Sequence, residues 1–168
     1  MNRDDKIRKM RKSAFSNCFR PLPHLLLLFA SFSAMAADWS GWEIYRNPKL
    51  TESRIRIEDG NLQATLNPGA GKREFRDLSI TKPLSLEPGK QYTLEAVIEA
   101  EQAGEAAIIY KHHAPYKTLG LSMVKKLLPG KNLIIHKFRP EERPPGKTSL
   151  LTIACGRING KITITDFA

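Results

Sequence analysis

Tyr110, Lys111, His112, His113, Tyr116 and Lys117 bring aromatic rings and nitrogen donors together within one short stretch that also holds Pro115. Rings of this kind lie against the C–H faces of pyranoses. Polar neighbours fix the orientation by exchanging hydrogen bonds with hydroxyls, while ring burial contributes much of the energy. Tyr110 continues the parity of Ala106 and Ile108, so a core position competes with a platform position for it. The two remaining aromatics of interest are Trp39 and Trp42, the only tryptophans. Trp42 is expected to pack in the core beside Ile44 or Tyr45, and Trp39 is the candidate for an exposed stacking residue. A zinc reading of His112-His113 lacks further ligands, and adjacent side chains of a strand diverge.

Other chemistries find less support. A glycosidase needs two carboxyl groups facing each other across a cleft; Glu95, Glu99, Glu101 and Glu105 fall on or beside one strand and read as its wet face, which leaves Glu141 and Glu142. No nucleophile elbow, phosphate loop or metal motif appears. Cys155 ends the apolar run Leu150-Leu151-Thr152-Ile153-Ala154 and reads as a buried thiol without a partner base. Arg54 and Arg56 share one strand face, with Lys72-Arg73 and Arg76 nearby in sequence. Alternation of this kind is first of all a solvated face; if the charges line one surface, an anionic polysaccharide fits them, because guanidinium groups pair bidentately with carboxylate and sulfate.

These residues need elements to position them, and the prevailing period is two. Arg54-Ile55-Arg56-Ile57 alternates, Glu58-Asp59-Gly60-Asn61 marks a tight hairpin, and Leu62, Ala64 and Leu66 return on one face. Tyr92, Leu94, Ala96 and Ile98 oppose Glu95 and Glu99, whereas residues 106–110 are apolar at both parities, as in a strand that is covered on both sides or faces a groove. Further strands are expected over 42–45, 74–80, 119–124, 133–138, 149–155 and 161–167, punctuated by Pro88-Gly89, Pro129-Gly130, Pro144-Pro145-Gly146 and Asn159-Gly160. About ten short strands argue for an all-β, two-sheet antiparallel sandwich.

The chain has 168 residues, 27 basic and 17 acidic, for a net charge of +10. Much of that excess precedes the apolar run Leu25-Leu26-Leu27-Leu28-Phe29-Ala30, which is too short to span a bilayer and ends in Ala34-Met35-Ala36. Residues 1–36 therefore read as a signal peptide cut after Ala36, with Met10 as an alternative start and an uncleaved anchor as the competing reading. Cleavage removes seven basic and two acidic side chains and leaves a single domain, 37–168, with a net charge of +5 and one cysteine. No membrane span remains after the cut, nucleic-acid binding loses most of its support, and no disulfide can form within the domain. The expected location is periplasmic, cell-surface or extracellular.

The ordered set Ile57-Glu58-Asp59-Gly60-Asn61-Leu62, then Ile80-Thr81-Lys82-Pro83-Leu84-Ser85-Leu86-Glu87-Pro88-Gly89-Lys90-Gln91-Tyr92-Thr93-Leu94, then Gly160-Lys161-Ile162-Thr163-Ile164-Thr165-Asp166-Phe167 resembles carbohydrate-binding modules of families 4 and 9. The resemblance spans nearly all of 37–168. It implies a β-jelly-roll that holds a polysaccharide or glycan on its concave face or loop edge, where Tyr116 after Pro115 matches an edge aromatic of related modules; with the residues read above, the candidate contacts are Tyr116, His112, His113, Tyr110 and Trp39, and no catalysis is expected. It also implies one structural calcium ion, for which Asp166 matches the family's terminal-strand aspartate and Asp59 at the early hairpin is a second candidate ligand. The opening Ala37-Asp38-Trp39-Ser40-Gly41-Trp42-Glu43 departs from the family's Asn-Gly-x-Phe-Glu, which supplies part of that site. Such modules are usually joined to an enzyme, whereas a free-standing binder is expected here. The alternative is a structural or protein-interaction component of the cell envelope with no glycan ligand.

Overall fold

The period-two alternation becomes ten strands: β1 (Glu43–Arg46), β2 (Arg54–Glu58), β3 (Asn61–Leu66), β4 (Leu78–Pro83), β5 (Tyr92–Ala100), β6 (Gly104–His112), β7 (Lys117–Leu127), β8 (Gly130–Phe138), β9 (Ser149–Arg157) and β10 (Gly160–Phe167). The structure, a computed structural model, describes residues 38–67 and 73–168; the expected signal peptide lies outside them. Two antiparallel five-stranded sheets result, with strand orders β1-β4-β9-β6-β7 and β2-β3-β10-β5-β8. No α-helix occurs among the described residues, and none of their elements is a helix long and apolar enough to cross a membrane.

The sheets meet on their apolar parities. Leu62, Ala64 and Leu66 of β3, Leu94, Ala96 and Ile98 of β5, and Ile162 and Ile164 of β10 face Leu78 and Ile80 of β4, Ile108 of β6, Leu119 and Leu121 of β7, and Ile153 of β9, all buried. This is the inner-face packing of a β-sandwich. β9 is the middle strand of its sheet and is buried along both faces from Leu151 to Gly156. β6, beside it, has the double burial expected of an apolar run at both parities: Ala106 and Ala107 are both buried.

Local chemistry sets the connections. Asp59 and Gly60 both take positive φ (51° and 72°), and Glu58 pairs with Asn61. That is the two-residue turn whose twist matches antiparallel strands. Between β7 and β8, Asn132 closes the hairpin: its Nδ2 donates to the carbonyls of Leu128 (2.8 Å) and Gly130 (2.9 Å), and its Oδ1 accepts from Leu128 N (2.9 Å).

One element differs from the alternation. Residues 74–80 do not form a continuous strand; Phe75–Asp77 is a 3-10 turn, and β4 begins only at Leu78 and runs to Pro83. Asp77 enforces the turn by accepting hydrogen bonds from Glu74 N (2.7 Å) and Asn47 Nδ2 (2.8 Å). The turn then lies on Gly156 of β9, where any Cβ would collide with the Glu74 carbonyl oxygen.

Candidate functional site

The outer face of the sheet containing β6 is a lattice of cross-strand neighbours, because directly opposed residues of antiparallel strands share a side. One row runs Tyr45, Ser79, Ala154, Ala107, Val124, and the next Glu43, Thr81, Thr152, Ile109, Ser122. A third contains Pro83, Leu150 and Lys111. The first row has small, buried side chains at its centre and large exposed ones at its ends: Tyr45 is 53% exposed and Val124 55%. By side-chain size such a face is lowest along its centre and highest at its edges, a shallow trough whose central residues Ser79, Ala154, Ala107 and Thr152 are themselves shielded by their neighbours. Thr81 and Thr152 hydrogen-bond to each other through hydroxyls 3.2 Å apart, and Thr81 is the more open of the two.

The β6–β7 loop closes one end of the trough. Lys111 belongs to the outer face, and a register shift against β7 directly after Tyr110 brings it opposite Thr118. Its ammonium lies 4.6 Å from the centroid of the Tyr116 ring, a cation–π contact. Burial holds the Lys111 pKa below the usual lysine value. His113 meets the same tyrosine edge-on at 5.3 Å, and its backbone N–H, bonded to Thr148 O at 2.9 Å, ties the loop to the start of β9. Tyr116 itself is 64% exposed, a ring held on two sides and open to solvent.

The structure thus brings Tyr116, His113 and Lys111 together and places the other expected aromatics elsewhere. Tyr110 is 1% exposed and lies on the inner face; its hydroxyl donates to Leu84 O (3.2 Å) and accepts from Leu86 N (3.2 Å). His112 is buried beneath the loop, with Nδ1 3.3 Å from His113 O. Trp39 is 5% exposed, packed 5.5 Å from Trp42 and 5.9 Å from Phe167, and its Nε1 donates to Gly60 O (2.9 Å). Both faces of a stacking ring cannot be spent on the protein's own core, so these three side chains are structural and Trp42, not Trp39, is the more open tryptophan. Tyr45 was missed. Parity could not have found it, because all four residues of β1 are exposed and Ile44 is about as open as Tyr45.

The acids separate as well. Glu95 and Glu99 stand exposed on β5, in the other sheet, and Glu105 pairs with Arg157 at 3.4 Å. Asp59 is exposed at its turn, and Asp166 is half-buried opposite Val97 at a bulge of β10. Among the described residues no three His, Cys, Asp or Glu side chains converge.

No protein-family model matches the sequence, and no curated protein matches it. Solved structures do. The chain is similar to a family 4 carbohydrate-binding module (TM-score 0.62, 15% identity, 76% of this chain and 84% of that one). It is also similar to the second N-terminal cellulose-binding domain of Cellulomonas fimi β-1,4-glucanase C (TM-score 0.60, 16% identity, 80% and 87%). The first N-terminal domain of that enzyme gives 0.57 at 17% identity over 76% and 86%. At such identities the likeness is one of fold, and the resemblance read from the motifs holds at that level: the chain has the β-sandwich of these modules.

Proposed function

We propose that this chain is an exported, non-catalytic protein that binds a polysaccharide or glycan in the trough on the β1-β4-β9-β6-β7 sheet, with Tyr116 as its stacking platform. The observation that carries the reading is the open Tyr116 ring, fixed by Lys111 and His113 at the end of a face floored by small side chains. A sugar ring laid on Tyr116 meets Lys111 and Thr118 as hydroxyl partners, and a chain extending from it along the strands passes Ile109 and Ser122 toward Val124. The fold shared with cellulose-binding domains supports the choice of first ligands.

Affinity electrophoresis of the purified protein in gels containing β-glucan, hydroxyethylcellulose or xylan tests it. At least one gel should retard the protein. Tyr116→Ala should weaken that retardation by roughly tenfold or more, the loss expected when burial of one large side chain, about 1.5–3 kcal/mol, is forgone. Unchanged mobility in every gel would overturn the reading. A second reading, a protein-binding envelope component, draws on Leu133 and Ile135, which stand more than half exposed on the outer side of β8; it expects every gel and the tyrosine variant to be silent.

A further inference from the structure

We propose a second site, on the outer face of the opposite sheet, for the acidic groups of an anionic polysaccharide. Arg54 stands opposite Thr65, which stands opposite Lys161; Arg56 stands opposite Gln63, which stands opposite Thr163. Six side chains from three neighbouring strands thus present guanidinium, ammonium, hydroxyl and amide groups on one side. A cleft of about 440 Å³ opens here, walled by Arg54, Arg56, Gln63 and Thr65 and closed by Glu52 and Asn67. A second cleft, about 370 Å³, continues past Arg54 and Arg56 over the edge of β2 to Arg46 and Ile44. The two guanidinium groups therefore line a path long enough for a chain rather than a single ion.

The site is largely uncommitted. Among the described residues Arg54 makes no ion pair, and the acid within the cleft, Glu52, accepts from Asn67 Nδ2 at 2.9 Å. Arg56 pairs with Glu58 at 2.9 Å, but both side chains are about half exposed, so the pair exchanges readily for another anion. Gln63 Oε1 is sealed from solvent without a hydrogen-bond partner. Buried polar groups are almost always satisfied, and an amide that turns over to meet a ligand can donate or accept. Guanidinium forks two residues apart on one strand lie about 7 Å from each other at the backbone, and each can take a carboxylate or sulfate bidentately. Thr65, Thr163 and Gln63 between them suit hydroxyls, which a bare anion would leave unused.

The site shares no residue with the Tyr116 trough, so the two can be tested apart. The full chain is run in gels containing polygalacturonate or dextran sulfate at low and high salt. The variants are Arg54→Ala/Arg56→Ala, Tyr116→Ala and a charge-matched control, Lys126→Ala/Lys137→Ala, all checked for native circular dichroism. At least one acidic polymer should retard the wild type. The arginine variant should lose roughly tenfold or more of that affinity, while the control and Tyr116→Ala keep most of it; the responding polymer identifies the anion as carboxylate or sulfate. The proposal falls if neither polymer retards the protein, if the arginine variant binds like wild type, or if the lysine control loses as much, since net charge alone would then account for binding.

Discussion

Asp77 decides where a strand begins. Burial raises its pKa, but the hydrogen bonds from Asn47 and the Glu74 backbone and the nearby Arg76 charge outweigh that, and the carboxyl titrates below its usual value. A folded-state pKa below the unfolded one, about 3.9, makes a contribution to stability that is fully present above that pH and is lost as pH falls through the folded value. Asp77→Asn should therefore cost about 1 kcal/mol at neutral pH, and the gap from wild type should close below about pH 4; urea melts at several pH values check both. The same residue marks how far single side chains were legible. Asp77 was read as part of a strand, because the sequence does not show that Asn47, thirty residues earlier, supplies its partner. Aromatic identity was equally ambiguous: Tyr110, Trp39 and Tyr116 share ring chemistry, and only packing determines that Tyr116 alone keeps an open ring.

At the scale of elements, alternation was informative because inner and outer faces differ so sharply in polarity. All ten strands were anticipated, with ends shifted by up to four residues: β4 starts at Leu78 and runs to Pro83, β7 extends over Lys117–Leu127, and β8 starts at Gly130. The 3-10 turn before β4 was not, since what requires it is a contact with β9. Gly156 is buried beneath the carbonyls of Glu74 and Phe75, with backbone on the other side that cannot swing away as a flexible side chain would. Gly156→Ala should thus lift the turn and cost about 1–3 kcal/mol, the usual penalty of overpacking, read as a lower urea midpoint. Because β9 also supplies Thr152 and Ala154 to the trough floor, the variant should weaken glycan retardation too. By contrast Gly89, around which a Cβ would meet nothing, should accept substitution with only the cost of its positive φ.

Across the whole molecule, what stayed hidden in the sequence was which strands become neighbours. β6 lies between β7 and β9, and β10 between β3 and β5. No local pattern announces that Lys161 completes a row begun at Arg54, or that Tyr45 and Val124 bound one trough. The charge that reaches both faces also depends on what happens to residues 1–36, whose seven basic and two acidic side chains set the difference between +10 and +5. Cysteine counts this directly. The chain holds Cys18 in the expected leader and Cys155 in the domain. Cys155 is fully buried, and burial pushes its thiol up to about 12, so the thiolate that would react is scarce in the native state. After export and cleavage behind Ala36, a thiol reagent at mildly alkaline pH should label nothing in the native protein and one thiol per chain in urea, and N-terminal sequencing should begin Ala-Asp-Trp. Two thiols per chain in urea would mean that the leader is retained; the protein would then be anchored rather than released, and both binding faces would work at the membrane surface.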